Sequence, residues 1–154
     1  MRPFLLAVLL ASTAALAEDD CKVEVGPNDV VKQRGDVVIE AGQIAEDVVA
    51  LEGSVLIKSG AKVKSAVSFG GTVTVERDAV VKTALSMGGS VKVASDAQVG
   101  SVVEIGGKGL KVRGNDGKDL DLNLSWDGKS LGQRIADEAL AKVKHCKVAR
   151  AQTK

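Results

Sequence analysis

Between Gly35 and Gly106 apolar residues come in pairs spaced two apart, and the pairs themselves recur on a longer period. Val55 and Ile57, Ala61 and Val63, and Val67 and Phe69 are followed 18 residues later by Val73 and Val75, Ala79 and Val81, and Leu85 and Met87. The next 18 residues give Val91 and Val93, Ala97 and Val99, and Val103 and Ile105. The preceding unit gives Val37, Ile39, Ala45, Val49 and Leu51, with Gln43 the one lapse. An apolar pair at i and i+2 is a short strand with one face turned inward. Three such pairs per unit predict three short sides, so that 18 residues close one turn and the next turn stacks on it at about 4.8 Å. No single turn can bury its own inside, which makes stacking obligatory.

The fold class expected is therefore an all-β solenoid, a triangular β-helix with 18-residue coils: about four regular coils, irregular end coils and one C-terminal α-helix. Gly35, Gly53, Gly71, Gly89 and Gly107 recur at the same interval and are assigned to coil corners, where the chain must turn. Handedness stays open, since Ala-x-Val pairs suit left-handed coils and Gly-Gly corners suit right-handed ones as well.

With the pairs at the third side pointing in, the residues between them point out. Those are Val48, Ala50, Ala66, Ser68, Ala84, Ser86 and Val102, then Glu104, small and, until Glu104, uncharged. The other outward positions carry Glu40, Lys58, Glu76, Lys62, Lys64, Lys82 and Lys92. A smooth uncharged side marks a packing or partner face, to be covered by the C-terminal helix or by another protein. The alternative is a helix that caps the open end of the core.

Past Gly107 the register slips. Residues 107–126 read as a last irregular coil, with a turn at Arg113–Lys118 and a strand on Leu120, Leu122 and Leu124, completing a β-helix domain of 35–126. Ser130 and Gln133 have capping-box spacing. Ile135, Ala136, Ala139, Leu140, Val143 and Cys146 form one helical stripe within a 127–154 segment whose last residues, from 149, fray.

The start of the chain belongs to a different logic. Arg2, the apolar run Phe4–Leu10 and Ala15-Leu16-Ala17 have the layout of a secretory signal peptide, 1–17, followed by an irregular segment at 18–34. No transmembrane anchor is expected. Export leads to the periplasm, the cell surface or the medium, where Cys21 and Cys146 can form a disulfide across almost the whole mature chain.

Charge and chemistry narrow the function further. The chain has 21 basic and 20 acidic residues, and losing Arg2 with the leader balances them, which removes the electropositive footprint a nucleic-acid partner needs. Gly128-Lys-Ser130 lacks the P-loop's earlier glycine, where Asn123 stands. Asp119, Asp121 and Asn123 have calcium-loop spacing but lack the glycine and the closing glutamate, and alternating leucines explain them. Gly106–Gly109 is a corner of the repeat rather than a phosphate nest. Asn123-Leu-Ser125 is an incidental glycosylation sequon. His145 is the only histidine and lies near the C-terminus. No catalytic or metal set and no cofactor site emerges, so the chain is read as a non-enzyme.

Ser68-Phe-Gly-Gly-Thr-Val-Thr-Val75, Ser86-Met-Gly-Gly-Ser-Val-Lys-Val93 and the Asp-Ala-x-Val stretches at 78–81 and 96–99 resemble the repeats of bactofilins, bacterial polymer-forming β-helix proteins, over roughly 35–112. That resemblance implies nucleotide-free, end-to-end assembly and scaffolding at an envelope. Bactofilins are cytosolic with disordered tails, whereas this chain has an export signal, two cysteines and a C-terminal helix. The expectation is an exported structural or scaffold protein of a bacterial envelope that associates with itself or another envelope protein. The alternative is a binding module or adhesin using the small-residue face.

Overall fold

The structure is a computed structural model that describes residues 22–106, 109–116, 118–122, 125–126 and 129–150. The expected signal peptide, Cys21, Gly107 and the tail from 151 lie outside the described residues. The strands are β1 (Lys22–Val25), β2 (Val30–Lys32), β3 (Val37–Ile39), β4 (Ile44–Ile57), β5 (Lys62–Val75), β6 (Val80–Met87), β7 (Val91–Val93) and β8 (Gln98–Gly106). Then come β9 (Gly109–Gly114), β10 (Asp119–Leu122), β11 (Ser125–Trp126), β12 (Lys129–Ser130), the helix α1 (Leu131–Val143) and β13 (Lys147–Arg150).

The chain is a β-solenoid. Val37 pairs in parallel with Val55, Val73 with Val91, Val63 with Val81 and Val81 with Val99, each 18 residues on. Each coil offers three ladder segments: residues such as Val55–Ile57 on the first side, Lys62 and Val63 on the second, and Ser65–Ser68 on the third. Hydrogen bonds from corner groups run along the same axis. The Ser54 N–H donates to Asp36 Oδ1 at 2.8 Å, and the Thr72 N–H donates to Ser54 Oγ at 3.1 Å.

The corner glycines act in two ways. Gly42 and Gly60 have φ near +73°, and Asp78 takes the same left-handed role at +59°, a conformation that short Asp side chains tolerate better than most. Gly53, Gly71 and Gly89 lie outside that region. There the coils approach so closely that an added Cβ would collide with the carbonyl of Gly35, Gly53 and Gly71, respectively. That column is glycine because backbone packs on backbone.

The core confirms the expected residues on two sides and reverses the third. Val37, Ile39, Ala45, Val55, Ile57, Ala61, Val63, Val73, Val75, Ala79 and Val81 form one buried cluster. Val48, Ala50, Ala66 and Ala84 belong to that cluster, and Ser68 and Ser86 are also fully buried. These six, expected on the outer surface, are inside; Val102 at the end of the series is half-buried. The corners explain the reversal. Inward residues step by four from Ile57 to Ala61 but by three from Val63 to Ala66, and by five from Ser68 to Val73. An odd step changes which parity of the strand faces in. Val67, Phe69, Leu85 and Met87 therefore point out.

Beyond Gly106 the chain does not make another coil. β9 turns back antiparallel on β8, with Val103 opposite Val112 and Ile105 opposite Leu110, and β10 returns antiparallel on β9. Among the described residues only the third side is extended this way. The tail also differs from expectation: Ala149 and Arg150, expected to fray, continue a strand from Lys147 that pairs in parallel with Lys22–Val25.

Candidate functional site

The third side carries most of the molecule's distinctive chemistry. Its inner face is a column of small residues with a polar thread. The Ser68 hydroxyl donates to the Gly53 carbonyl at 2.6 Å, and the Ser86 hydroxyl donates to the Gly71 carbonyl at 2.8 Å. Each serine thus satisfies a corner carbonyl that coil stacking turns inward, and among the described residues no buried side-chain polar atom lacks a partner. One coil on, the same column holds Glu104, whose carboxylate accepts from the Val91 N–H on the first side. The column ends in a charge where the coils end.

The outer face of that side is apolar and holds α1. The helix begins at Leu131, one residue after Ser130, as the capping-box spacing predicts. Ala136 is buried, Ala139, Leu140 and Val143 are half-buried, and Ile135, placed on the same stripe by its spacing, is 40% exposed. Leu140 is the key: its methyl carbons come within 3.4 Å of where Cβ atoms of Gly70 and Gly88 would be. Gly70 and Gly88 both have φ of +82°, so these glycines serve the turn and leave the notch that receives Leu140. Phe69, Gly70, Leu140 and Lys144 line one crevice. Of the two placements open from sequence, the side rather than the core's end is where α1 lies. Lys142 donates to Glu138 Oε1 at 2.8 Å on the helix's outer face, and that contact holds the Glu138 carboxyl below its ordinary value.

The two ends of the solenoid differ. Val37 and Ile39 sit on the first regular coil yet are 1% and 0% exposed, and Val30 packs against the core at that end. Asp29 fastens that packing, accepting from the Gly26 N–H at 2.7 Å and from the Asp47 N–H at 3.1 Å. At the other end Val91, Ala97 and Val99 are only half-buried and Val93 is 38% exposed. There β7 has a partner in β5 and, among the described residues, none on its other edge.

The remaining sequence candidates fall apart in space. Asp119 pairs with Arg113 and Asp121 with Lys111, each at 3.5 Å, so their charges are already matched across the hairpin. His145 is exposed in the turn after α1. Among the described residues no group of three or more His, Cys, Asp or Glu could hold a metal ion. Among them also no helix is long and apolar enough to cross a membrane. On the first side Lys58 donates to Glu40 at 2.7 Å, and this bond with Glu40's charge raises the lysine above its usual value. Compared with known proteins, the chain matches no family model, no curated protein and no solved structure.

What sequence reasoning missed is the sign of the third side. A signal existed: Ala50, Ser68 and Ser86 keep one column small and uncharged while the neighbouring column varies through Leu51, Phe69 and Met87.

Proposed function

We propose that this chain is an exported, non-catalytic structural or scaffold protein of a bacterial cell envelope, which associates through the open end of its solenoid. The observation that carries the reading is the difference between the ends. An unpaired strand edge beside a half-exposed apolar core is a surface that favours pairing with another chain, and Val91, Val93, Ala97 and Val99 supply it on two of the three sides. The partner is a second copy or another envelope protein. Export is supported by the 1–17 leader, and the bactofilin-like repeats support assembly without nucleotide.

A disulfide between Cys21 and Cys146 completes the proposal. The parallel register sets Lys22 opposite Lys147, so the two cysteines are each one residue before a paired position. Cys146 is 4% exposed and its carbonyl accepts from Gln33 Nε2 at 3.1 Å, which ties the segment after α1 to the closed end. In the chain-entropy account a bridge over so long a loop contributes about 4–5 kcal/mol.

The test is light scattering and electron microscopy of the processed chain across concentration, beside a Val93→Asp variant. Concentration-dependent assembly that V93D weakens is the expected result. A chain that stays monomeric at every concentration and retains no envelope protein in pull-down overturns the reading.

A further inference from the structure

The second side of the solenoid presents a basic surface whose lysines no ion pair engages among the described residues. Its outward residues on successive coils are Ile44 and Glu46, Lys62 and Lys64, then Val80 and Lys82, and all six line one shallow depression. Lys62, Lys64 and Lys82 are exposed, and among the described residues no ion pair or hydrogen bond engages their side chains. The first side is built differently, with Lys58 held by Glu40. Lys64 and Lys82 occupy equivalent places on stacked coils, about 4.8 Å apart along the axis. Like charges in neighbouring strands repel, and Glu46 alone offsets three lysines. The depression therefore carries a net charge of +2, that is three lysines less one glutamate, in a chain otherwise near balance.

Apolar groups lie among these charges. Ile44 is 72% exposed, the most of any large hydrophobic residue described, and Val80 stands between Lys62 and Gln98 in the same ladder. The stacked coils hold these groups on one sheet surface. A soluble polyanion would use the lysines and leave Ile44 in water. A lipid bilayer surface uses both, since headgroup phosphates meet the ammonium groups while apolar side chains settle at the interface.

We propose that this side docks on an anionic lipid surface, with Lys62, Lys64 and Lys82 on headgroup phosphates and Ile44 and Val80 against the interfacial region. It is independent of the association proposed for the open end, which is on different residues. A net charge of +2 near an anionic leaflet favours binding by on the order of 30-fold over a neutral one. The attraction is screened by salt.

The experiment is co-sedimentation of the processed chain with vesicles of phosphatidylcholine alone or mixed with phosphatidylglycerol, at low and high salt. Expected are preference for the anionic vesicles, loss at high salt, no competition by free inorganic phosphate, and several-fold weakening by Ile44→Ser. The Lys62→Glu, Lys64→Glu, Lys82→Glu triple variant should lose the preference while its thermal midpoint stays close to that of the parent. Should the triple variant fail to fold, the parent's salt dependence and the Ile44→Ser result decide. Equal binding to neutral vesicles, no binding to either, a folded triple variant that binds like the parent, or capture by a soluble polyanion in place of vesicles overturns the proposal.

Discussion

Replacing Ala84 by leucine tests the reversed third side directly. Ala84 is 0% exposed, stacks between Ala66 and Val102, and belongs to the same cluster as Val81 and Val75. Three added carbons would enter a lumen lined by Val75 and Val81, and the stacked backbones cannot part without breaking ladder bonds on both sides. Overpacking of this kind costs about 1–3 kcal/mol. For a chain of this size each kcal/mol lowers the melting midpoint by roughly 3–5 °C, so Ala84→Leu should melt about 5–10 °C below the parent. Its neighbour Leu85 has the opposite parity on β6 and is half-buried, so Leu85→Ala forfeits part of one side chain's burial, about 1–2 kcal/mol. Exposed Lys82→Leu should stay within about 0.5 kcal/mol. Urea and thermal melts followed by circular dichroism measure all three. If Ala84→Leu were neutral while Leu85→Ala cost a full core truncation of about 3–5 kcal/mol, the assigned phase would be refuted.

Ser68→Ala and Ser86→Ala should each destabilise by about 1–3 kcal/mol in urea melts, because each leaves an inward corner carbonyl without its donor. Gly71→Ala should be worse than either, since its Cβ meets the Gly53 carbonyl, and a melt unchanged from the parent would show that the coils are not in contact there. Leu140→Asp should free α1 from the Gly70 and Gly88 notch, read as faster amide exchange over 131–143 with the coil ladders still protected. With Cys21 as the proposed partner, Cys146→Ser should abolish the mass difference between reduced and non-reduced chain and speed exchange in β1 and β13.

The period of the fold is legible because a stacked coil repeats its inside residue for residue. Val37, Val55, Val73 and Val91 could be aligned without any knowledge of the corners. The phase of one side is not legible by the same means. Apolar alternation marks the more hydrophobic parity as inward, which holds only when the outer face meets water. On the third side the outer face meets a helix, so Val67, Phe69, Leu85 and Met87 out-rank the Ala and Ser residues that are truly inside. The end of the coils follows a different cue. Ser68 and Ser86 are replaced in their column by Glu104, which cannot donate to a carbonyl when ionised and instead accepts from Val91. The extension of the third side by an antiparallel hairpin rests on long-range pairing and has no comparable local mark.

The small column and the docked helix have one physical origin. Val and Ile from the first two sides fill the lumen, as Val37, Ile39, Val55, Ile57, Val73 and Val75 show. Little room is left opposite them, and Ala and Ser fill the middle coils there, with Val48 on the first regular coil and Val102 and Glu104 on the last. A side that buries only Ala and Ser removes little apolar area from water, roughly a third of what Val or Leu would contribute at about 25 cal/mol per Å². Its outer face has to make up the difference, which is why large apolar residues stand there and why a helix is needed over them. The double glycines at 70–71 and 88–89 serve both requirements, one glycine letting the coils touch and the other admitting Leu140. The helix is thus part of what stabilises the third side, whereas the lysines of the second side engage no partner among the described residues and the valines of the open end are covered by the core on one side only. Those two surfaces, and not the small-residue column, are where a partner has something to gain.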